Sequence, residues 1–283
     1  MKITLQNAFL KAVIHSKGAE LESLSDDKQN YIWMIDEQFW NKTSPILFPI
    51  VGRLKNDEYQ LLGNTYSLPR HGFARDFDFE VVQQTENSVC FSLKNNEKTL
   101  ENYPFEFELQ VIYTLIDKKL DISYGIKNQS NTQMPFSIGA HPAFAIYDSF
   151  EAYSIEFEKD EDLVAYSLEN EQLSGETKTI KLNNKQLVLD YNLFEKDAIV
   201  LKDNATSYVK ILKNGVPQYQ VTFPDFPYLG IWTKIDAPFI CIEPWLGIAD
   251  HANHSGNIME KEGIQILDPQ AEKTIHFEIE ILK

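Results

Sequence analysis

Cysteine and basic residues are scarce in this sequence, and both scarcities narrow what the protein can bind. Its 283 residues include two cysteines, Cys90 and Cys241. Neither has the paired spacing of a zinc or redox motif, so we expect two buried, reduced thiols. The 26 lysines and arginines against 42 acidic residues give a formal charge of −16, which would repel nucleic acid and anionic membranes. The charge therefore favours a small-molecule partner.

Long apolar runs are also missing. No stretch approaches the roughly 20 apolar residues that span a bilayer. The N-terminus, MKITLQNAFLKAVIHSKGAE, alternates polar and apolar residues, and Lys11 interrupts any signal-like apolar core. We therefore expect a cytoplasmic protein with no membrane or nucleic-acid partner, present as a monomer or weak homodimer.

Several common catalytic signatures are absent from the sequence. It contains no Gly-x-Ser-x-Gly elbow, no Gly-x-Gly-x-x-Gly fingerprint and no phosphate-binding Gly-Lys-Ser/Thr loop. The segment DHANH places His251 and His254 beside Asp250, groups that a metal ion uses. In a loop this spacing is weak support for a metal site, and we expect neither a metal nor an organic cofactor.

What the sequence does contain is period-two alternation of apolar and polar residues, which is typical of half-buried strands. It is clearest at residues 105–113 (FEFELQVIY), 120–126 (LDISYGI) and 274–281 (TIHFEIEI). Turn signals such as DKK, NQSN and KNG separate such runs, which indicates an antiparallel sandwich or barrel. Residues 95–104 (NNEKTLENYP) predict one short helix stopped by Pro104. No linker or repeat divides the chain, so we predict one all-β domain over residues 1–283.

Two acid-base residues stand directly before prolines, in SIGAHPAF and FICIEPWLGIADH. They are His141 and Glu243. The proline ring holds the preceding residue extended, and its missing N–H predicts a strand end or edge at both places. Two such side chains at strand margins indicate a cleft. The alternatives are a structural histidine with its hydrogen bonds satisfied, and a glutamate that points into water where its strand ends.

A third segment that breaks the alternation runs from SPILFPIVGRL to RHGFARDF. It offers Arg53, His71 and Arg75, and Gly72 would allow a close backbone approach. The alternative is an ordinary surface loop whose arginines pair with the neighbouring aspartates, Asp76 or Asp78.

These segments, in order, resemble the aldose 1-epimerase family, the galactose mutarotase-like proteins, and within it the LacX-related branch. The resemblance is carried by SPILFPIVGRL, RHGFARDF, MPFSIGAHPAF, DAIVL, FPYLGIWT and CIEPWLGIADH, which together span nearly the whole chain. It implies a large antiparallel β-sandwich, the galactose mutarotase-like supersandwich, with few short helices. It also implies an enzyme that interconverts the α and β anomers of free sugars without a metal or organic cofactor.

The resemblance places His141 where the family has its general acid and Glu243 where it has its general base. Mutarotation takes a proton from the anomeric hydroxyl and delivers one to the ring oxygen, so that the C1–O5 bond breaks and re-forms on the other face. A carboxylate of raised pKa and an imidazolium with a pKa near 6.5 suit these steps.

The same resemblance implies four substrate-binding positions. His71 matches a second histidine of the family, and Arg53 looks like an arginine that hydrogen-bonds the sugar. Asp197, in EKDAIVL, corresponds to an aspartate that contacts sugar hydroxyls, and Trp232 would supply an apolar wall for the ring.

The substrate and the reaction class stay open at this level. Ala140 precedes His141 where better-known galactose mutarotases have an asparagine, and HGFAR is similar to hexose-6-phosphate epimerases. Arg75, with Arg53 and Arg70, would then bind a phosphorylated sugar.

Two further functions are alternatives. One is a glycoside hydrolase that uses Glu243 with Asp197 or Asp250 as its second carboxylate. The other is a non-catalytic protein that binds or senses a sugar.

Overall fold

Strands dominate the computed structural model, which describes residues 1–202 and 206–282. The strands in these residues are β1 (Lys2–Gln6), β2 (Lys11–His15), β3 (Glu20–Ser25), β4 (Ile46–Leu47), β5 (Glu58–Leu61), β6 (Asn64–Ser67), β7 (Glu80–Gln84), β8 (Ser88–Lys94), β9 (Phe107–Ile116), β10 (Lys119–Asn128), β11 (Met134–Phe136), β12 (Ile138–Ala140), β13 (Ala143–Ala145), β14 (Tyr153–Phe157), β15 (Leu163–Glu169), β16 (Gln172–Ile180), β17 (Gln186–Val188), β18 (Ile199–Leu201), β19 (Tyr208–Lys213), β20 (Val216–Thr222), β21 (Tyr228–Trp232), β22 (Phe239–Leu246), β23 (Gln265–Leu267) and β24 (Glu272–Ile281). One α-helix, α1 (Glu97–Asn102), accompanies short 3-10 helices at Lys55–Asp57, Ala74–Asp76, Phe150–Ala152, Tyr191–Phe194 and Ile258–Glu260.

Two large antiparallel sheets account for most of these strands. One has the order β17-β14-β19-β20-β24-β10-β9-β8-β7, and the other β16-β15-β18-β21-β22-β12-β4, with β13 also paired to β22. The described residues also form three smaller sheets, β1-β2-β3, β5-β6 and β11-β23.

A continuous apolar core joins the two large sheets. It contains Ile122 and Phe277 from the nine-stranded sheet, and Ile231 and Ile242 from the eight-stranded sheet. Because side chains alternate between the two faces of a strand, each sheet contributes every second residue to this core. The predicted all-β class and antiparallel sandwich are therefore confirmed.

The elements predicted from the sequence pattern are found with small shifts of their ends. The three alternating runs are β9, β10 and β24. The predicted helix is α1, which ends two residues before Pro104. Asn96 caps it, since the side-chain oxygen of Asn96 accepts hydrogen bonds from the N–H groups of Lys98 and Thr99.

Pro244 lies inside β22, so the prediction of a strand margin at Glu243 was wrong. On one side β22 pairs with β21 along residues 241–245, but on the other its partners β13 and β12 leave a gap. N–H groups alternate between the two neighbours of a strand, and the Ile242 N–H bonds the Pro142 carbonyl within this gap at 3.2 Å. The missing N–H of Pro244 therefore falls on the interrupted side, where it removes no ladder hydrogen bond.

The prediction for the cysteines was half right. Both thiols are free, and Cys241 is buried. Cys90, by contrast, is partly exposed because its position in β8 puts it on the opposite face from Val89 and Phe91, which are buried. Among the described residues, no helix combines the length and apolar character needed to cross a membrane.

Candidate active site

A cavity of about 240 Å³ lies on the outer face of the eight-stranded sheet. This volume is below the roughly 300–1,000 Å³ of drug-sized pockets, and it suits one small ring. Residues from several strands and from the connections between strands line it: Trp40, Gly52, Arg70, His71, Arg75, His141, Leu168, Glu171, Ala198, Val200, Trp232, Glu243, Trp245, Ile248 and Ala249.

Strand alternation explains how β22 brings Glu243 to this cavity. Ile240 and Ile242 belong to the core between the sheets, so the odd-numbered residues point to the opposite face. There Glu243 lies between Cys241 and Trp245, opposite Gly230 of β21. A Cβ on Gly230 would meet the Trp245 ring at 2.5 Å, so glycine is needed for this packing.

His141 faces Glu243 across the gap in the sheet. His141 and Pro142 separate β12 from β13, as expected for a residue held extended at a strand margin. The His141 Nε2 atom lies 3.1 Å from Glu243 Oε2, and both side chains are nearly inaccessible to solvent. His141 Nδ1 is buried and has no hydrogen-bond partner. The two residues that precede prolines thus lie side by side, and they bring an acid and a base together in the cavity wall.

Burial shifts the pKa of both groups toward their neutral forms. It lowers the pKa of His141 to about 3, with a further lowering from the positive charge of Arg70. It raises the pKa of Glu243 well above its ordinary value, and Arg70 opposes that rise. The expected imidazolium with a pKa near 6.5 is therefore not what the site favours. Glu243 Oε2 is also buried and has no hydrogen-bond partner. A pair that holds one proton, with no net charge, fits the environment better.

Aromatic rings enclose the histidine. Trp40 lies 5.0 Å from the His141 ring and Trp232 lies 5.8 Å from it, and the two indoles are 5.6 Å apart. Phe239 packs behind both indoles. Trp232 thus lines the cavity, and so does Trp40, which was not identified from the sequence.

His71 is a second buried histidine in the cavity wall. Its Nδ1 accepts a hydrogen bond from the Gly52 N–H at 3.1 Å, so a neutral ring carries its proton on Nε2. Burial, with the charge of Arg70, lowers its pKa well below the ordinary value. A Cβ on Gly72 would meet the Phe48 carbonyl oxygen at 2.2 Å. The close approach predicted for this glycine is found, and it fixes the turn that carries His71.

The three arginines of the loop segment have different surroundings. Arg70 and Arg75 line the cavity, and Arg75 Nη2 donates to the Arg70 carbonyl oxygen at 2.7 Å. Arg53 does not line it. Its guanidinium instead pairs with Asp57 and with Glu171, at 2.6 and 2.7 Å. Arg53 thus lines an adjoining depression and not the cavity itself.

Asp197 also lies outside the cavity lining. Its Oδ1 accepts from the Ala198 N–H at 2.7 Å, and its charge contributes to the raised pKa of Glu243. The following residues, Ala198 and Val200, form the wall of the cavity. The structure therefore gives Asp197 an electrostatic influence on the site rather than a place in its surface.

The DHANH segment contributes Asp250 to a buried ion pair with Lys261. Asp250 Oδ1 bonds Lys261 Nζ at 2.8 Å, with both side chains about 1% exposed. Asp250 Oδ2 accepts from the Lys55 N–H at 2.9 Å and lies 3.3 Å from His254 Nδ1. His251 turns away to Glu262. These residues hold one another, which leaves Asp250 poorly placed as a hydrolase carboxylate.

Two other groups within the described ranges could hold a metal ion by proximity. One is His141 with Cys241 and Glu243, and the other is Asp121 with His276 and Glu278. In each group the ligand atoms lie within 4.8 Å of one another. The first coincides with the acid-base pair already described.

Comparisons with known proteins show the family of this chain. Residues 1–265 match the family Aldose 1-epimerase. The LacX protein encoded on a plasmid of Lactococcus lactis subsp. lactis is 38% identical over 277 residues, covering 92% of each chain. This chain belongs to the aldose 1-epimerase family. The family relation supports a sugar epimerase function and a sugar substrate.

Solved structures of two bacterial relatives share the whole architecture. A galactose mutarotase related enzyme from Lactobacillus acidophilus is 33% identical, with a TM-score of 0.94 over 100% of this chain and 98% of its own. A galactose mutarotase-like protein from Lactobacillus casei is 32% identical, with a TM-score of 0.93 over 99% and 100%. The supersandwich expected from the resemblance is thus the fold of this epimerase-family chain.

Proposed function

We propose that this protein interconverts the α and β anomers of a hexose by opening and closing the pyranose ring. The observation that carries the proposal is the 3.1 Å separation of His141 Nε2 and Glu243 Oε2 in a cavity walled by aromatic rings. The anomeric oxygen and the ring oxygen of a sugar are both bonded to C1. A single seated ring therefore presents both oxygens to two groups that lie this close together.

The shared proton gives the pair both roles at once. Burial favours that proton on Glu243. When it passes to His141, the Glu243 carboxylate takes the proton of the anomeric hydroxyl while His141 gives its own to the ring oxygen. The C1–O5 bond breaks, a C1 carbonyl forms, and the proton count of the pair is unchanged. After rotation about C1–C2 the roles reverse on closure. No covalent bond between enzyme and sugar is needed, which agrees with the lack of nucleophile signatures.

The surrounding side chains support binding of a neutral ring. Trp40 and Trp232 supply flat apolar walls, against which a sugar ring packs. His71 offers an Nε2–H donor, and the Arg70 charge lies close enough to lower the pKa of both His141 and Glu243. Arg53 acts in this scheme through Glu171, which it holds, rather than on the sugar itself.

The glycoside hydrolase alternative has less support. It requires two carboxyl groups across the scissile bond, one as acid and one as base or nucleophile. The second carboxylate in the cavity lining is Glu171, and both of its oxygens are engaged by arginines. Asp197 and Asp250 lie outside the lining. Release of free sugar from a chromogenic glycoside would nevertheless favour this alternative.

The decisive experiment replaces Glu243 by glutamine, which keeps the shape and removes the base. We expect the rate of anomer exchange of α-glucose and α-galactose to fall by roughly 10²- to 10⁴-fold. Polarimetry or exchange NMR measures the rate, and circular dichroism checks the fold. An active parent with an unimpaired Glu243→Gln variant would remove Glu243 from the mechanism. Sugar binding without any acceleration in the parent would favour a non-catalytic sugar-binding protein.

A further inference from the structure

Glu171 occupies an unusual backbone position at the edge of the cavity. It is the second of two residues that join β15 to β16, since Glu169 and Gln172 are paired. Asn170 and Glu171 both have left-handed backbone angles, with φ of 51° and 65°. Two-residue hairpins of this type favour Asn followed by Gly. A glutamate where glycine is preferred indicates that its side chain has a use.

The use of this side chain is visible in its contacts. One carboxylate oxygen bonds Arg53 Nη1 at 2.7 Å, and the other bonds Arg70 Nη1. Arg70 and Glu171 line the catalytic cavity and also an adjoining depression that contains Arg53. The carboxylate therefore stands between two guanidinium groups where the two spaces meet.

The hairpin that carries Glu171 is anchored at its base. The Leu173 N–H bonds the Asp250 carbonyl oxygen at 2.9 Å, and the Ala252 N–H bonds the Leu173 carbonyl oxygen at 3.3 Å. Asp250 is itself fixed by Lys261. Glu171 is thus attached to the same rigid segment that forms the cavity wall at Ile248 and Ala249.

The pairing of Glu171 with the two arginines affects how well a phosphate group could bind at the cavity. A phosphate group binds best to a guanidinium that offers two parallel N–H donors and an uncompensated charge. Glu171 takes one terminal N–H of Arg53 and one of Arg70, and it offsets one positive charge. Arg70 Nε stays buried without a partner, so the compensation of Arg70 is by charge and by one of its N–H groups. Asp57 engages the rest of the Arg53 fork. A neutral sugar loses nothing by this compensation, whereas a phosphorylated one loses its counter-charge.

We propose that Glu171 selects uncharged sugars against sugar phosphates by offsetting the charge of Arg70 at the cavity, where a phosphate would otherwise bind. The proposal rests on the proposed function for its substrate class. It makes Glu171 a specificity-determining residue and Arg53 a positioning residue that acts through it. Removal of the carboxylate would leave Arg70 without its counter-charge, and Arg70 would then bind an anion beside Arg75 at the cavity.

The test compares glucose with glucose 6-phosphate in the wild type and in Glu171→Gln. We expect the ratio of kcat/KM values to move toward the phosphorylated sugar by about tenfold or more, the order expected for one unit charge at a partly exposed site. Titration with inorganic phosphate, followed by NMR of the protein amides, should show binding that is tighter in the variant. Glu169→Gln is the matched control because it removes the same charge from an exposed position of the same hairpin.

Two more variants make the result independent of folding defects. Glu171→Gly suits the left-handed backbone, so it should fold well and show the same change in selectivity. Adding Arg70→Gln to Glu171→Gln should abolish the gain in phosphate binding.

The proposal is overturned if the wild type already prefers glucose 6-phosphate, if the ratio does not move, or if Glu169→Gln moves it equally. If neither sugar is turned over, the proposed function fails, and the phosphate titration still decides the role of Glu171.

Discussion

Two buried acid-base pairs have their carboxylates, Glu243 and Asp250, in one short segment of this chain, and the two pairs are built for opposite purposes. Glu243 faces His141 at 3.1 Å, and Asp250 faces Lys261 at 2.8 Å. Both pairs are almost completely removed from solvent. The first borders a cavity and the second is closed in by protein.

The difference lies in how far each pair is satisfied. Asp250 also accepts from the Lys55 N–H, and Lys261 also donates to the Ile248 carbonyl oxygen. In the first pair, His141 Nδ1 is buried without a partner, and burial moves the pKa of both groups toward neutrality. A fully satisfied pair holds its protons and supports the wall, whereas an incompletely satisfied one keeps a proton that it can transfer.

The largest effect that this comparison predicts is on stability. Asp250→Asn leaves the Lys261 ammonium buried without its counter-charge, and we expect the free energy of unfolding to fall by about 3–5 kcal/mol. Urea denaturation followed by tryptophan fluorescence measures it. Glu243→Gln is the matched variant, since it also converts a buried acid to its amide. That change should not lower stability, because burial already disfavours the Glu243 carboxylate. Equal losses in the two variants would contradict the distinction.

A second prediction concerns the pH dependence of catalysis. A pair that holds one proton gains a second proton below its lower pKa and loses its proton above its higher one. Burial lowers the pKa of His141 to about 3 and raises that of Glu243. The pH range in which the pair holds one proton therefore extends to both lower and higher pH. We expect kcat/KM for anomer exchange to change less than about twofold between pH 5 and 7.5.

A steep fall in kcat/KM with rising pH would contradict this prediction. An imidazolium acid with its ordinary pKa would lose its proton as pH rises through about 6.5. A tenfold fall in kcat/KM for each pH unit above that value would show that His141 titrates as a separate acid and not as part of the pair. Exchange must be corrected at each pH for the spontaneous reaction in buffer.

Some of the strands and one strand margin could be predicted from the sequence, because they depend on neighbouring residues in the chain. Alternation is a property of single strands, so β9, β10 and β24 could be recognised without knowledge of their partners. The proline rule likewise predicted the strand margin at His141, which lies between β12 and β13. Its failure at Glu243 has a long-range cause. Whether a proline ends a strand depends on the neighbouring strand, and the gap between β12 and β13 cannot be read from FICIEPWL alone.

The remaining site residues could not be predicted because tertiary contacts define them. Trp40 contacts His141 from a loop one hundred positions earlier in the chain, and nothing in EQFWNKTS marks it as part of a cavity. Glu171 carried one usable signal, an Asn-Glu pair between two alternating runs, which fits a two-residue hairpin. The arginines that it bridges are 118 and 101 positions away. Arg53 was assigned to the sugar from the resemblance, and only the fold reveals the carboxylate beside it.

The smallest predicted effect tests whether the aromatic wall belongs to binding or to proton transfer. Trp40 lies 5.0 Å from the His141 ring and supplies surface without a titratable group. Trp40→Leu should raise the KM for glucose by about 3- to 10-fold, as expected for loss of about 0.5–1.5 kcal/mol of ring packing, with a smaller change in kcat. Trp40→Phe should recover most of the affinity. If kcat falls a hundredfold at constant KM, Trp40 instead holds His141 in register with Glu243, and the wall is part of the proton-transfer machinery.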